Sequence, residues 1–246
     1  MKKILAFFAA AALGFSAMAT PFSMPSPIPE FNYKGRVNLE LLNSFGWGFH
    51  IVAPGADAAF ADHTSVGRSR EIFFNLLQLE YSPNAVSKIT LGADLNWDTY
   101  RLSDGWFWLP EKNEGRVEPA LAGDYGYALV KKATLRTFGF DIPLDYTHSF
   151  GPMLNLDVTV GVAAELNFAG RTKFKGINEA GNLEKHTHNG DLYRATNIRT
   201  NALTMNAHII VTYEGLGIYF KYCPFPQFQA GYGPQFTTWS LGLIIR

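Results

Sequence analysis

An alternation of apolar and polar side chains with a period of two runs through most of this chain. It is clearest between residues 154 and 168, where every even position is apolar and the odd positions are small, polar or acidic. Because successive side chains of a β-strand point to opposite faces of its sheet, this alternation predicts a strand with one apolar and one polar face. Seven further segments carry the same pattern, with some interruptions: 37–51, 71–81, 88–99, 134–146, 203–213, 216–222 and 237–246.

The length of these segments is unusual for a soluble β-protein. Most of them run for 9–15 residues, whereas strands of globular proteins average about 5–6 residues. A tilted strand needs about 9–11 residues to cross an outer membrane. The polar faces also combine acids with many glycines, which suits a narrow polar lumen. The sequence therefore predicts an all-β fold, a transmembrane antiparallel up-and-down β-barrel of eight strands, or of ten if Tyr125–Val130 or Arg171–Lys175 extends a hairpin above the membrane.

The predicted connections alternate in length. Outer-membrane barrels have short periplasmic turns and long external loops, and an even number of strands places both ends of the barrel on the periplasmic side. The short connections carry Gly, Pro or Asn, which mark tight turns, and are 82–87, 147–152 and 214–215. The others are longer than a compact soluble domain usually contains, and are 52–70, 100–133, 169–200 and 223–236.

Aromatic residues at the ends of the predicted strands are a second indication of a membrane barrel. Rings at both interfaces form the aromatic girdle of such proteins, although aromatic residues also favour strands in general. At the side of the short turns, strands end in the outward residues Tyr81, Tyr146 and Tyr213. Toward the long loops the outward aromatic positions are Trp47, Phe49, Phe73, Trp97, Phe138, Phe168, Tyr222 and Trp239.

The N-terminus has the pattern of a secretory signal peptide. Two lysines precede an apolar run over 4–15, and residues 17–19 form a small-x-small cleavage site. We therefore divide the chain into a signal peptide (1–19), a proline-rich periplasmic lead-in (20–36) and the barrel (37–246). This division predicts export and location in the outer membrane of a Gram-negative bacterium.

Composition excludes several other classes of protein. Only 17% of the residues are charged, against about 25% in an ordinary globular domain. The formal net charge of zero argues against a nucleic-acid partner, which requires a basic face. The single cysteine, Cys223, excludes an internal disulfide framework and a multi-cysteine metal site. We expect no cofactor.

The last predicted hairpin, Gly217–Pro224 followed by Thr238–Leu243, carries a resemblance to a known class. Over about residues 35–246 the chain resembles the small eight-stranded outer-membrane barrels, and within them a family known only as an outer-membrane β-barrel domain. The resemblance implies the barrel fold and contact with the barrel-assembly machinery during biogenesis, and it implies no catalytic residue. Members of the class usually end in an aromatic residue, whereas this chain ends Ile244-Ile245-Arg246.

Acids dominate the polar faces of the predicted strands. Because side chains fill an eight-stranded barrel, we do not expect a general diffusion pore. Charges buried there must be paired or neutralised, so the lumen holds either a plugging hydrogen-bond network or a path for cations or protons. The predicted network comprises Glu40, Glu80, Asp94, Asp98, Asp141, Asp157, Glu165, His208 and Lys221.

The long loops contain candidate binding residues. Trp106, Phe107 and Trp108 are costly to expose, so they either stack on a glycan or protein ligand, or cover the barrel mouth or rest on lipopolysaccharide. His186 and His188 form an H-x-H pair and are weak metal candidates, since no third ligand is evident. Four bases of the third loop are candidates for pairing with lipid A phosphates: Arg171, Lys173, Lys175 and Lys185.

These features predict a non-enzymatic outer-membrane barrel protein whose surface loops serve envelope structure, binding or adhesion. Its expected partners are outer-membrane lipid, lipopolysaccharide and a protein or glycan ligand at the loops. One alternative is a barrel component of an envelope secretion or transport apparatus. Another is a lipid-A-modifying barrel enzyme, for which the only adjacent histidine and serine, His148 and Ser149, lie in a short turn.

Overall fold

The computed structural model describes residues 36–52, 63–64, 68–111, 115–186 and 198–246. The predicted signal peptide and nearly all of the proline-rich lead-in lie outside these residues. No helix within the described ranges is long and apolar enough to cross a membrane. The strands are β1 (Arg36–Leu41), β2 (Phe45–Val52), β3 (Arg70–Asn84), β4 (Ser87–Arg101), β5 (Trp106–Pro110), β6 (Val117–Leu121), β7 (Tyr127–Ser149), β8 (Leu156–Asn178), β9 (Leu183–His186), β10 (Leu203–Tyr213), β11 (Leu216–Cys223) and β12 (Thr238–Ile245).

Eight of these strands close into a ring in which all neighbours are antiparallel. The ring follows chain order through β2, β3, β4, β7, β8, β10, β11 and β12, and β12 pairs back onto β2. The predicted all-β class and the antiparallel order of eight strands are therefore confirmed. The short connections and Arg246 lie at one end of the ring, which we call the turn end. The opposite end, which carries the long connections, is the loop end.

The first predicted strand, 37–51, is interrupted between β1 and β2. Leu42 has a left-handed backbone with φ 53°, which is unfavourable for a residue with a Cβ atom. Its N–H donates to the carbonyl of Leu76 at 3.3 Å. β2 pairs with the loop-end half of β3 and β1 with its turn-end half. The interruption thus lies at the same level as an extra residue in β3.

That extra residue forms a β-bulge that changes the direction of the side chains in β3. The register with β4 slips between Asn75 and Leu77, and one added residue reverses the faces of a strand on either side of it. The prediction that Phe73 faces outward is therefore wrong. Phe73 lies inside the ring, with its centroid 5.2 Å from the ring of Tyr219, and Phe74 takes the outward position.

β7 and β8 are the longest strands, with 23 residues each. Pairing of β7 with β4 stops at Thr134, and pairing of β8 with β10 stops at Leu166, but β7 and β8 pair with each other as far as Tyr127 and Asn178. The hairpin therefore rises beyond the ring, where β9 adds a third strand. The two segments that suggested a ten-stranded barrel, 125–130 and 171–175, lie at or within this extension. They add no strand to the ring, which has eight strands.

The turn between β10 and β11 shows how the turn end is built. Glu214 and Gly215 both have positive φ, 49° and 83°, as in the type I′ turns that match the twist of a hairpin. A Cβ atom on Gly215 would lie 2.8 Å from the carbonyl oxygen of Arg246. Glycine is therefore required at this position for conformation and for space.

Folded chain covers the loop end of the ring. We call residues 102–111, 115–126 and 224–237 the cap; they include the β5–β6 hairpin and the segment between β11 and β12. One buried cluster attaches the cap to the ring strands, and a second attaches the hairpin to the projecting part of β7 and β8. The first contains Tyr100, Leu102, Trp108, Val117, Leu135, Ile198, Phe228 and Phe236. The second contains Phe107, Ala122, Tyr127, Ala133 and Phe174.

Candidate functional site

Apolar side chains lie outside the ring and polar ones inside it. On β12 the outward residues Leu241, Leu243 and Ile245 are 50%, 52% and 48% exposed, whereas the inward Thr238 and Ser240 are 7% and 2% exposed. This alternation repeats around the ring, so charged side chains are collected in its interior. Six acids of the ring are among the buried residues: Glu71, Glu80, Asp98, Asp141, Asp145 and Glu165. The interior is therefore the candidate site.

An ion-pair network crosses the middle of the interior. Lys221 of β11 forms a close ion pair with Glu71 of β3, and its Nζ lies 3.7 Å from Oδ2 of Asp141 on β7. The hydroxyl of Tyr219 also donates to Glu71, at 3.1 Å. None of β3, β7 and β11 is a neighbour of another in the ring. These contacts therefore tie opposite walls together.

His50, Asp98 and Ser240 form a hydrogen-bonded row nearer the loop end. Nε2 of His50 lies 2.8 Å from Oδ1 of Asp98, and Nδ1 lies 3.0 Å from Oγ of Ser240. A serine, a histidine and a carboxylate in this order activate the nucleophile of many hydrolases. Here Ser240 is 2% and His50 is 4% exposed, and the ring of Tyr100 stacks on the imidazole. The row is shielded from any substrate in this conformation.

A second row lies toward the turn end. Nε2 of His208 is 2.8 Å from Oδ1 of Asp145, and the guanidinium of Arg246 is 3.7 Å from Oδ2 of the same carboxylate. Arg246 also donates to the hydroxyl of Thr159 at 3.0 Å. The predicted lumen residue His208 is thus held by a carboxylate of another strand, and Arg246 reaches into the interior to share it.

The other predicted lumen residues are spread along the ring rather than gathered at one point. Asp94 accepts a hydrogen bond from Asn75 at 2.6 Å. Glu80 forms an ion pair with Lys88 at 3.3 Å. Glu165 is buried on β8, opposite β10. Glu40 and Asp157 lie toward the turn end and are partly buried.

Little empty space remains between these side chains. A cavity of about 50 Å³ lies toward the turn end between Asp94, Asp145 and His208. A second space of about 10 Å³ lies beside His50 and Glu165. Because one water needs roughly 10–15 Å³, the first space has room for a few waters and the second for about one. Among the described residues, spaces of this size suit a packed polar network.

Sequence reasoning overlooked three central members of this network. His50 and Ser240 stand on the polar faces of their predicted strands, but the closure of β12 onto β2 that brings them together is a long-range contact. Glu71 was hidden by the bulge in β3, which disturbs the alternation of its strand. Strand order combined with the polar positions would have found the first two.

The loop aromatics lie in the cap. Phe107 and Trp108 are completely buried in its two clusters, and the indole N–H of Trp108 donates to the carbonyl of Tyr100 at 3.2 Å. Trp106 is partly buried and stacks on His63 at 3.8 Å. Phe107 and Trp108 therefore present no surface to a ligand in this structure, and their role there is to close the loop end.

The metal candidates are only partly described. His188 lies outside the described residues, and Nε2 of His186 is 3.1 Å from the hydroxyl of Tyr127. Glu184 lies beside His186, and its pKa is lowered mainly by a hydrogen bond from Tyr127 and, to a smaller extent, by one from Asn178. Among the described residues no group of three or more His, Cys, Asp or Glu side chains is placed to hold a metal ion.

Comparisons with known proteins add no relative. No family model matches the chain, and no curated protein matches it.

Proposed function

We propose that this chain is a non-enzymatic, membrane-spanning β-barrel of the outer membrane, with its turn end in the periplasm and its cap outside. The observation that carries the proposal is the belt of exposed apolar side chains around a ring with a polar, filled interior. Soluble monomers rarely expose a contiguous apolar patch larger than a few hundred Å². A belt on every strand of a closed ring is the surface that lipid covers in an outer-membrane barrel.

Aromatic residues at both edges of the belt support this placement. Tyr81, Tyr146 and Tyr213 are exposed near the turn end. Near the loop end Trp97 contacts Phe138, with centroids 5.1 Å apart. Such rings favour the two membrane interfaces. The belt would then span the hydrocarbon, and the β7–β8–β9 extension and the cap would stand outside it.

The filled interior and the folded cap favour a structural or binding role over transport. Ion pairs and hydrogen bonds join opposite walls, and the cap covers the loop end. A molecule of this kind presents a rigid external surface from a closed barrel. Envelope structure or binding through that surface is the role we propose.

A matched pair of variants tests the membrane proposal. Ile209 and Leu121 are both exposed apolar residues, but Ile209 lies midway along β10 and Leu121 in the cap. An arginine at the bilayer midplane costs about 2–4 kcal/mol. We expect Ile209→Arg to reduce the heat-modifiable, folded form in outer-membrane fractions, and Leu121→Arg to leave it unchanged. Recovery of the parent protein from the soluble periplasm would contradict the proposal.

The row of Ser240, His50 and Asp98 favours one second candidate, a serine hydrolase whose cap opens. Labelling of the membrane-embedded protein with a fluorophosphonate probe separates the two functions. Burial of Ser240 predicts no labelling of the parent. Labelling that disappears in Ser240→Ala would replace the non-enzymatic proposal with the hydrolase.

A further inference from the structure

We propose that the outer face of the β7–β8 hairpin, just beyond the apolar belt, binds the phosphate groups of a phosphorylated lipid headgroup in the outer leaflet; this inference rests on the proposed membrane insertion. The residues concerned form what we call the basic face: Lys132, Arg136, Arg171, Lys173 and Lys175 of the hairpin, with Arg101 at the end of the neighbouring β4.

Strand register places these cations on one surface. Arg136 is directly opposite Arg171, and Lys132 is directly opposite Lys175. The residues that alternate with them, such as Leu135 and Phe174, are buried on the other side of the sheet. Side chains directly opposite each other in antiparallel strands have Cβ atoms about 4.5–5.5 Å apart. The basic face is therefore a compact cluster.

Cross-strand pairing of like charges is unfavourable, and here it occurs repeatedly. Lys175 faces Lys132 on one side and Lys185 of β9 on the other. Burial, followed by the charges of Arg136 and its basic neighbours, lowers the pKa of Lys132. An arrangement that concentrates repulsion in this way is stabilised when an anion lies on it.

The described residues of the protein do not supply that anion. Across the described ranges, no carboxylate lies within ion-pair distance of Lys132, Arg136, Arg171, Lys173 or Lys175. Glu184 adjoins Lys185 in β9 and so points to the opposite face, where it accepts a hydrogen bond from Tyr127. Nε of Arg136 is buried without a hydrogen-bond partner. The cluster therefore has unused donors.

The position of the basic face relative to the membrane favours a lipid headgroup as its ligand. Arg136 lies two residues beyond Phe138 on β7, so it stands about 7 Å farther along the strand. Phe138 contacts Trp97 and Phe168, with centroids 5.1 and 6.1 Å away, and these rings mark the proposed interface. In the proposed orientation, cations at this distance from the aromatic rings lie among the phosphate groups of the outer-leaflet lipid. The forked guanidinium groups of Arg136 and Arg171 match phosphate oxygens in pairs.

Binding of lipid A to the full-length protein in detergent, followed by native mass spectrometry, tests the inference. The probes are phosphorylated lipid A, the same lipid after enzymatic removal of its phosphates, and inorganic phosphate as competitor. Arg136→Gln/Arg171→Gln removes the paired guanidinium groups. Arg116→Gln/Arg199→Gln is the matched control, because it removes the same charge at or beside the cap. Arg116 pairs with Glu118 within the cap, and Arg199, which precedes β10, lies over Tyr232 of the cap.

We expect the parent and the control to bind phosphorylated lipid A equally. Loss of the phosphates, or of the two arginines, should weaken binding by about tenfold or more, as expected for charge-assisted hydrogen bonds. Equal affinity of the Arg136→Gln/Arg171→Gln variant and the parent would overturn the lipid site. Equal binding of the two lipids, or displacement by inorganic phosphate at the concentration of the lipid, would also overturn it.

Heat modifiability of the same samples separates this failure from that of the proposed function. A heat-modifiable parent with phosphate-independent binding overturns the lipid site alone. A parent that neither inserts into membranes nor shifts on heating overturns both. Lys173→Gln/Lys175→Gln provides a second variant with the same expected loss if the arginine variant does not fold.

Discussion

Single residues in the ring interior are held by contacts that cross from one wall to another. Lys221 illustrates this, because its ammonium group is shared by Glu71 and Asp141 while Tyr219 supplies a further donor to Glu71. Glu71 is completely buried. Burying charges costs free energy, and mutual pairing offsets that cost only while both partners are present. The side chains of this network therefore depend strongly on one another.

Substitution of Lys221 by methionine tests that dependence. It leaves the buried carboxylate of Glu71 without its cation, so we expect a loss of about 3–5 kcal/mol in the free energy of unfolding. Urea unfolding of the folded protein in detergent measures it. Lys131→Met at an exposed position is the control and should change stability by less than about 0.5 kcal/mol. Equal effects of the two substitutions would show that the ion pairs are not a stabilising network.

The same network provides a coupling test. In the double variant Lys221→Met/Glu71→Gln the carboxylate that lost its cation is also removed. We expect this variant to be more stable than Lys221→Met alone, by about 1 kcal/mol or more, since residues in one network couple by about 0.5–3 kcal/mol. Simple addition of the two single effects would contradict direct pairing of Glu71 with Lys221.

At the scale of elements, the alternation in the sequence predicts strands well because lipid or solvent and the interior impose opposite demands on successive residues. β10 and β11 are examples of strands that this pattern locates closely, whereas β8 continues ten residues beyond the predicted end at residue 168. The alternation does not reveal the bulge between Asn75 and Leu77. The two consecutive apolar residues before it, Phe73 and Phe74, do not show which of them faces outward. The alternation does not predict the cap either, because contacts between residues distant in sequence position its β5–β6 hairpin.

Among the residues of the cap, Trp108 is the one whose substitution we expect to destabilise the cap most. It is completely buried against Phe228 and the ring strands, and replacing a buried tryptophan by alanine typically costs about 3–5 kcal/mol. We expect Trp108→Ala to expose the cap to external protease while the ring stays folded. Leu129→Ala, at an exposed site of β7, should leave protease resistance unchanged. Resistance of both variants would mean that the aromatic cluster does not hold the cap closed.

At the scale of the whole molecule, each strand of the ring pairs with the next ring strand along the chain, and β12 closes the ring on β2. The sequence predicts this order, and it also indicates which residues of β7, β8, β10 and β11 face inward. It does not predict which inward residues meet, because Glu71, Asp141 and Lys221 come from non-adjacent strands and meet only when the ring closes. The membrane-spanning role we propose follows from the whole surface rather than from any one residue.

The accessibility of spin labels on the outer face tests that role most directly. In a Cys223→Ser background, nitroxides at Met205 and Ile209 report on the belt, and nitroxides at Leu129 and Leu183 report on the projecting sheet; all four native side chains are exposed. In outer-membrane vesicles we predict that oxygen, which concentrates in lipid, relaxes the belt labels most strongly, and that a water-soluble nickel chelate relaxes the labels on the projecting sheet. Equal access of the chelate to Ile209 and Leu183 would contradict a lipid-covered belt.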